Sequence, residues 1–542
     1  MTLLDEVAAW LAQDPDAETR DELLSLRAAA ETDEIAAREL ADRFAGHLEF
    51  GTAGLRGALG AGPNRMNRVV VARAAAGLAA WLDAEGRRGP VVVGFDARRR
   101  SADFARDTVE LVVATGRRAL LLPGPLPTPV LAYAIRQLGC AAGVMVTASH
   151  NPRADNGYKV YLGDGSQIVP PADTGIAAAI AAVAPVDSLP RSQAWEQLDA
   201  AVVESYVDAV SELAPSTGRP TLRVVHTSLH GVGAATVRAV LARTGGVELH
   251  EVPEQAEPDP DFPTVGFPNP EEPGALDLAL ALAHRVQADL VVANDPDADR
   301  CAVAVPESEG WRALSGDELG VLLGDAALRS GVRGTFATTI VSSSLLGRLC
   351  AIAGVPYVET LTGFKWLGRV PGLAYAYEEA LGYCVAPHVA ADKDGISAAV
   401  HVLALARELR DRGTTLLDRL DEIAADHGVY ATAQLSLRVS DVAAVAPLLT
   451  RLKMAPPTQL GGLDVVQLDD LGAGSADLPP TPGIRLRLST GARVVVRPSG
   501  TEPKLKCYLE VVLDAVDGVP AARLAAAARL DAVRRDLADA LS

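Results

Sequence analysis

The pattern of apolar and polar residues divides the chain into an opening helical segment and a long series of short buried strands. Within residues 1–47, apolar residues recur at helical spacing, beginning with Leu3, Val7 and Trp10, which predicts a helical leader. From about residue 90, short apolar runs end in polar loops and alternate with helical stretches. This pattern predicts strands at 91–95, 119–122 and 143–146 and helices over 103–115 and 129–138.

The same alternation of strands and helices appears twice more, and the tail of the chain differs from it. After the segment 184–192, the predicted elements are strands at 222–226, 289–293, 335–341, 357–359 and 373–377 and a long helix at 395–411. In the tail, the runs 430–439, 484–488, 493–496 and 505–512 alternate like antiparallel strands, with helices at 441–453 and 519–540. The predicted fold class is therefore α/β: three consecutive α/β domains with mixed, mostly parallel sheets, followed by an α+β domain. The predicted boundaries are 1–45 for the leader and 46–195, 196–306, 307–428 and 429–542 for the four domains.

Composition and charge narrow the class of protein. The 542 residues carry a net charge of −19 and are 49% hydrophobic, which excludes wholesale disorder and argues against a nucleic-acid partner. The five cysteines are scattered singly, as in proteins with reduced thiols. The longest apolar stretch, 176–186, is too short for a membrane span, and the N-terminus has no basic segment followed by an apolar run. We expect a cytoplasmic protein that binds no membrane.

The loop after the predicted strand 143–146 could hold a nucleophile. It reads Thr-Ala-Ser-His-Asn-Pro, with Ser149 beside His150, and Lys159 follows ten residues later. The carboxyl ends of parallel strands are where α/β proteins place their ligands. An ordinary turn is the alternative, since serine, asparagine and proline are turn residues. The G-x-S-x-G elbow of α/β-hydrolases is absent, so a hydrolase triad is not indicated.

A second loop, after the strand 289–293, has the composition of a metal site. Asp295, Asp297 and Asp299 alternate, so in extended backbone their carboxylates would project to one side. Mg²⁺ prefers such an all-oxygen environment. An EF-hand is excluded, because its glycine and glutamate positions are taken by Arg300 and Pro306. The alternative is a solvated acidic turn.

A third loop, residues 497–504 between two predicted strands, could bind phosphate. Arg497 and Lys504 flank a Pro-Ser-Gly-Thr-Glu-Pro run whose N–H groups can converge on an anion, and Lys506 lies just beyond. The Walker pattern is missing, and a simple hairpin turn is the alternative.

Further candidates are weaker, and each is interpreted first as structural. They are Arg56 in the glycine-rich segment 50–57, Arg98 at a strand end, the pair Glu378 and Glu379, and the histidines His226 and His230, which we expect to be satisfied loop residues. Together, however, a hydroxyl nucleophile, a carboxylate metal loop and a phosphate clamp indicate phosphoryl transfer.

At these loops the chain resembles the α-D-phosphohexomutase superfamily of phosphoglucomutases and phosphomannomutases. The resemblance covers residues from about 45 to 515, and the leader is similar to the helical extension of the phosphoglucomutase-2-like branch. It implies four domains in a heart shape, with one loop of each facing a central cleft. It also implies that Ser149 carries a phosphoryl group, that Mg²⁺ is held by this serine and the three aspartates, and that Arg300 faces the transferring group.

The resemblance implies further site residues. Arg56, His150 and Lys159 would act in catalysis beside Ser149. Substrate-binding residues would be Thr362, Gly363, Glu378, Glu379 and Lys393 from the third domain and Arg497, Ser499, Gly500, Thr501 and Lys504 from the fourth.

The implied activity is a phosphosugar mutase that interconverts the 1-phosphate and 6-phosphate of glucose or mannose. The phosphoserine would pass its phosphoryl group to the sugar, and a bound sugar bisphosphate would return one. Mg²⁺ would be the cofactor, a sugar 1,6-bisphosphate the activator and a small phosphosugar the partner, in a monomer or homodimer. Ala380 stands where many relatives have a serine that contacts the sugar, so a phosphopentomutase is the alternative. A metal-dependent sugar phosphatase and a non-catalytic scaffold are further alternatives from other classes.

Overall fold

The computed structural model describes residues 2–51, 53–214, 221–438, 445–476, 478–498 and 504–541. The chain forms two compact units, one of Met1–Leu314 with Gly382–Arg407 and one of Ser315–Leu381 with Glu408–Ser542. The finer division into a leader and four domains stays a prediction. Among the described residues, no helix combines the length and apolar character needed to cross a bilayer.

The helices and strands alternate through most of the chain. The helices are α1 (Leu3–Gln13), α2 (Ala17–Ala29), α3 (Glu34–Arg43), α4 (Arg68–Ala84), α5 (Ser101–Ala114), α6 (Thr128–Gln137), α7 (Ala172–Ala181), α8 (Ala201–Ser211), α9 (Gly233–Thr244), α10 (Pro253–Ala256), α11 (Asp277–Val286), α12 (Gly316–Arg329), α13 (Leu345–Ala353), α14 (Phe364–Leu367), α15 (Gly395–Asp411), α16 (Leu416–His427), α17 (Val445–Met454) and α18 (Val519–Leu541). The strands are β1 (Leu55–Ala58), β2 (Val91–Phe95), β3 (Ala119–Pro125), β4 (Ala142–Val146), β5 (Asp155–Leu162), β6 (Glu196–Gln197), β7 (Leu222–Thr227), β8 (Val247–Glu251), β9 (Leu290–Ala293), β10 (Ala302–Glu307), β11 (Gly310–Ala313), β12 (Thr335–Thr339), β13 (Tyr357–Thr360), β14 (Leu373–Glu378), β15 (Gly382–Cys384), β16 (Val429–Arg438), β17 (Gln459–Leu460), β18 (Leu463–Asp470), β19 (Ile484–Leu488), β20 (Arg493–Pro498) and β21 (Lys504–Leu513).

The leader is helical, as its spacing predicts, and it belongs to the first core. Thr2 and Asp5 form a reciprocal cap at the start of α1, which satisfies N–H groups that the first helical turn leaves free. Val7, Trp10 and Leu23 are buried in the same hydrophobic cluster as the strands β2 and β4. Burial of this apolar face stabilises helices that would be marginal in isolation.

Two mixed sheets of the first unit carry the loop with Ser149 and the aspartate loop. The first has the order β1-β5-β4-β2-β3-β6, with β2 parallel to β3 and β4 and with β5 antiparallel to β4. The second has the order β11-β10-β9-β7-β8, with β7 parallel to β8 and β9. The central strands β2, β4 and β9 are continuous apolar runs because helices cover both faces of such sheets. The loop with Ser149 follows β4, and the aspartate loop follows β9.

The second unit contains a parallel set of strands and an antiparallel sheet. In the parallel set, β12 pairs with β13 and β14. In the chain, α12 precedes β12, and α13 lies between β12 and β13. The antiparallel sheet has the order β16-β21-β20-β19-β18-β17, and α17 and α18 accompany it. This arrangement confirms the α/β fold class with a C-terminal α+β region.

Candidate active site

Ser149 lies in the turn after β4 with its backbone in the left-handed region. Its φ angle is +52°, which is uncommon for a residue with a side chain. The main-chain N–H of Ser149 donates to Thr147 Oγ1 at 2.9 Å, and the residue is buried. This hydrogen bond from the backbone to a side chain therefore stabilises the turn at Ser149.

Arg98, after β2, binds the main chain of this turn. Its guanidinium donates to the carbonyl oxygens of four residues at distances from 2.5 to 3.2 Å, namely Ser149, Asn151, Pro152 and Asp155. A planar guanidinium with several donors is suited to collecting carbonyl groups that face it from different directions. Arg98 is thus a positioning residue for Ser149, and a strand-end arginine was the only signal for it in the sequence.

The three aspartates converge through a tight turn, so the prediction of extended backbone was wrong. Ala298, between two of them, has a φ angle of +54°, which folds the chain back on itself. One carboxylate oxygen from each of Asp295, Asp297 and Asp299 lies within 4.8 Å of the others. Gly395 makes room for the turn, because a Cβ there would lie 2.1 Å from the carbonyl oxygen of Arg300.

Cations oppose the charge of this buried carboxylate cluster. Lys159 Nζ donates to Asp297 Oδ2 at 2.7 Å and to Asp299 Oδ2 at 3.0 Å, and Lys393 Nζ lies 3.5 Å from Asp299 Oδ2. Burial alone would raise the pKa of Asp299, but the two lysines outweigh burial and lower it. The pKa of Asp295 is raised well above its ordinary value by burial and by repulsion from the other two aspartates.

The donor set fits a hard divalent cation. Asp297 Oδ1 and Asp299 Oδ1 are buried and have no hydrogen-bond partner in the described part of the chain. Buried carboxylate oxygens without donors are costly unless a cation binds them. All the candidate donors are oxygens, as Mg²⁺ prefers, so these residues could hold the ion that the sequence predicts.

The serine turn and the aspartate turn meet directly. Ser149 Oγ donates to Asp295 Oδ2 at 2.7 Å, which places the hydroxyl at the edge of the carboxylate cluster. Arg300 Nη1 donates to His150 Nδ1 at 2.5 Å, and that nitrogen lies 3.3 Å from Ser149 Oγ. The pKa of His150 is well below its ordinary value, because of burial and the nearby cations Arg300 and Arg56. Neutral His150 therefore accepts from Arg300.

Arg56 and Lys159 reach this cluster from neighbouring antiparallel strands. Arg56 on β1 lies opposite Gly157 on β5, and its Nη1 donates to the side-chain oxygen of Asn151 at 3.1 Å. Two opposing effects act on the pKa of Lys159. Burial would lower the pKa, but the ion pairs with Asp297 and Asp299 outweigh it and raise the pKa.

The two histidines have hydrogen-bond partners, as expected, but His226 lies on β7 and not in a loop. His226 Nε2 lies 3.0 Å from Asn294 Oδ1, and His230 Nε2 lies 2.8 Å from Thr264 Oγ1. Asn294 in turn donates to the main-chain oxygen of Arg300 at 2.6 Å. His226 therefore supports the aspartate turn through Asn294.

Thr128, at the start of α6, was missed by sequence reasoning. Its hydroxyl donates to Asp297 Oδ2 at 2.6 Å, and its N–H donates to the main-chain oxygen of Asp297 at 2.9 Å. A Pro-Thr-Pro run between a predicted strand and a predicted helix was the only signal, and it is typical of many helix starts.

In the second unit, Glu379 follows the end of β14. Its Oε2 accepts from Thr339 Oγ1 at 3.2 Å and from Ser342 Oγ at 3.0 Å. Burial and the nearby carboxylates Glu378 and Asp317 raise the pKa of Glu379 to about 7. The glutamate pair thus ends a buried strand, and Glu379 is held by two hydroxyl groups.

Other predicted substrate residues of this unit lie at strand ends. Thr362 and Gly363 follow β13, and Gly363 has a φ angle of +102° at the start of α14. Arg497 is the penultimate residue of β20, and Lys504 begins β21. Ser499, Gly500 and Thr501 lie outside the described residues. The pKa of Tyr508 is raised by burial and by Glu379 and is lowered in part by a hydrogen bond from Arg497, so Tyr508 lies close to both.

Models of one known protein family match most of the chain. Models of the phosphoglucomutase/phosphomannomutase family match four consecutive parts: the alpha/beta/alpha domains I, II and III at residues 47–186, 204–310 and 315–427, and the C-terminal domain at residues 438–529.

Individual relatives agree with the family models. The chain is 46% identical to a probable phosphomannomutase from Haemophilus influenzae over 455 residues, which are 82% of this chain and 93% of the relative. It is 35% identical to the phosphopentomutase of Homo sapiens over 566 aligned positions, covering 93% of this chain and 91% of the relative. A crystal structure of a putative phosphomannomutase from Thermus thermophilus matches 90% of this chain and 99% of its own, with 26% identity and a TM-score of 0.70. The chain belongs to the phosphoglucomutase/phosphomannomutase family, within the α-D-phosphohexomutase superfamily.

Proposed function

We propose that this phosphomutase interconverts the 1-phosphate and 6-phosphate of glucose or mannose through a phosphorylated Ser149. One observation carries the proposal: the Ser149 hydroxyl lies 2.7 Å from Asp295 at the edge of three buried carboxylates. A hydroxyl, a divalent-cation site and nearby fixed cations are the groups that phosphoryl transfer needs.

In this proposal phospho-Ser149 passes its phosphoryl group to the free hydroxyl of a sugar monophosphate. The sugar bisphosphate so formed turns in the site, and its other phosphate returns to Ser149. Mg²⁺ held by Asp295, Asp297 and Asp299 would supply positive charge to the phosphoryl oxygens. Arg300 lies beside His150 at the serine turn, where its guanidinium can offset charge as the phosphoryl group moves.

Further residues would hold the part of the substrate that is not reacting. Arg497 and Lys504, from neighbouring strands, would bind the distal phosphate with charge-assisted hydrogen bonds. Glu379, whose carboxylate is fixed by two hydroxyl groups, would accept hydrogen bonds from the sugar. We extend the same proposal to Thr362, Gly363, Glu378 and Lys393 as substrate-binding residues.

The variant Ser149→Ala tests the central step. We expect it to abolish mutase activity and to remove the phosphorylated peptide detected by mass spectrometry. Ser188→Ala, at an exposed serine, is the matched control and should keep both. Full activity without any phosphorylated protein in Ser149→Ala would refute the proposal. Steady release of inorganic phosphate without isomerisation would favour a phosphatase instead.

A phosphopentomutase is the second candidate function, and one residue favours it. Ala380 follows the glutamate pair, where a serine hydroxyl would otherwise be available to a hexose. The 35% identity to the human phosphopentomutase points in the same direction. A coupled assay with glucose, mannose and ribose 1-phosphates, in the presence of Mg²⁺ and a sugar 1,6-bisphosphate as activator, measures which kcat/KM is highest. If none of the three is isomerised, the mutase proposal fails.

We also propose that the protein works in the cytoplasm on small phosphosugars. All five cysteines are buried and free, which suits a reducing compartment. The oligomeric state, monomer or homodimer, stays a prediction.

A further inference from the structure

The turn after β12 holds the sugar-binding carboxylate in two ways. Ser342 Oγ donates to Glu379 Oε2 at 3.0 Å. The hydroxyl oxygen of Ser342 also accepts from the main-chain N–H of Glu379 at 3.3 Å. Ser342 therefore fixes both the side chain and the backbone of Glu379. The position of the Glu379 carboxylate depends on the position of Ser342.

The same turn is bound by two residues of the C-terminal sheet. Arg493 Nη2 donates to the main-chain oxygen of Ser342. Glu510 Oε1 accepts from Ser343 Oγ at 2.7 Å and from the N–H of Ser344 at 2.8 Å, while its Oε2 accepts from Ser344 Oγ at 2.8 Å. Each of the three serines is thus held by one of these two charged residues.

Arg493 and Glu510 form one ion pair within the C-terminal sheet. They lie opposite each other on β20 and β21, and Arg493 Nε donates to Glu510 Oε2 at 2.8 Å. Arg493 Nη1 also donates to Glu359 Oε1 at 2.8 Å. Burial alone would lower the pKa of Arg493, but Glu510 and Glu359 outweigh it and raise the pKa, so the guanidinium stays charged.

We propose that Arg493 and Glu510 are positioning residues for Glu379, acting through the Ser342–Ser344 turn. The C-terminal sheet would then supply more than the phosphate clamp, because it would also set the geometry of the carboxylate that binds the sugar. The inference rests on the proposed function, in which Glu379 contacts the sugar. A purely structural role for this ion pair would change stability and leave substrate affinity alone.

A double-mutant cycle separates these two roles. Arg493→Lys keeps the charge but loses the planar set of donors, and Ser342→Ala removes the hydroxyl that holds Glu379. Each single variant should raise the KM for the preferred sugar phosphate about tenfold, with a smaller change in kcat. The double variant should raise KM no further than the larger single effect, since both changes act on one chain of contacts.

Arg485→Lys is the matched control. Arg485 pairs with the same Glu359, at 3.1 Å, and with Asp469, at 2.9 Å, on the neighbouring strand. Its conservative replacement should leave KM within about twofold of the parent protein. An equal rise in KM for Arg485→Lys and Arg493→Lys would overturn the inference, because it would reflect a general loosening of the sheet.

Two further outcomes would also overturn it: KM effects that multiply in the double variant, or a lowered melting temperature with unchanged KM. If Arg493→Lys does not fold, Glu510→Gln takes its place in the cycle. Wild-type protein inactive on all three sugar phosphates would refute the proposed function instead. In that case the double-mutant cycle is repeated with the affinity for glucose 1-phosphate, measured by calorimetry, in place of KM. Unchanged affinity in the variants would refute the positioning role.

Discussion

Replacing Arg98 with lysine should disable the serine turn without touching the reacting atoms. The Arg98 side chain is 1% exposed, and its two terminal nitrogens donate to four main-chain carbonyl groups of residues 149–155. A lysine ammonium is a single point of charge on a flexible stem. An ammonium in one position can donate to only some of the four carbonyl oxygens, because they are bound by two separate nitrogens of Arg98.

The size of the effect follows from the lost hydrogen bonds. A hydrogen bond to a charged donor contributes about 1.5–3 kcal/mol, so losing two of the four weakens the turn by about 3–6 kcal/mol. Displacement of a reacting group by about 1 Å is enough to lower a rate about 100-fold. We therefore expect Arg98→Lys to lower kcat about 100-fold, with a smaller change in KM, because the turn carries the nucleophile.

The assay compares Arg98→Lys with the same change at the next residue. Arg99 is 61% exposed and pairs with Asp261, and exposed ion pairs contribute only about 0–1 kcal/mol. Steady-state rates and the phosphorylated fraction of the chain by mass spectrometry should be near normal for Arg99→Lys. If the two variants have equal kcat and equal phosphorylation, Arg98 does not position Ser149 and the reasoning is refuted.

Four further predictions follow from the site. In a coupled assay, Lys159→Arg should lower kcat about tenfold or more, because a planar guanidinium cannot replace a compact ammonium between two carboxylates. The control Lys453→Arg, at the surface, should leave kcat unchanged. Gly395→Ala should weaken activation by Mg²⁺, measured by titration, because the new Cβ would press on the carbonyl oxygen of Arg300 at the aspartate turn. Chelation with EDTA should abolish activity, and added Mg²⁺ should restore it. Burial raises the pKa of Glu379 to about 7 in the folded protein. The unfolded chain loses this proton above about pH 4.5, so the stability of the folded protein should fall as the pH rises from about 4.5 to about 7. Glu379→Gln should lack this decrease and melt higher than the parent protein at about pH 8 but not at about pH 5.

The elements that the sequence predicts well are those buried on both sides. Strands such as β2, β4 and β9 are continuous apolar runs, and the structure has each of them within one residue of its predicted start. The antiparallel strand β5 was missed because its first half, Asp-Asn-Gly, has low strand propensity. It forms because β4 and β1 pair with it on either side, and this tertiary contact has no local signature.

The sequence indicated which aspartates belong together but not the geometry that brings them together. The aspartates were recognised by type and spacing, but their convergence depends on Ala298 in the left-handed region, which an alanine does not signal. The same limit applies to the raised pKa of Lys159. The carboxylates that raise it, Asp297 and Asp299, lie more than a hundred residues away in the chain.

The scarcity of lysine carried information because the two cations are not equivalent at a crowded carboxylate cluster. The chain has six lysines among its 50 basic residues, and two of them, Lys159 and Lys393, are buried and both contact Asp299. An ammonium can approach two carboxylates from one side and leave their other oxygens open to a metal ion, while a planar guanidinium would cover several oxygens at once. In a chain that uses arginine almost everywhere else, a lysine that persists in such a place therefore indicates a requirement of the site itself.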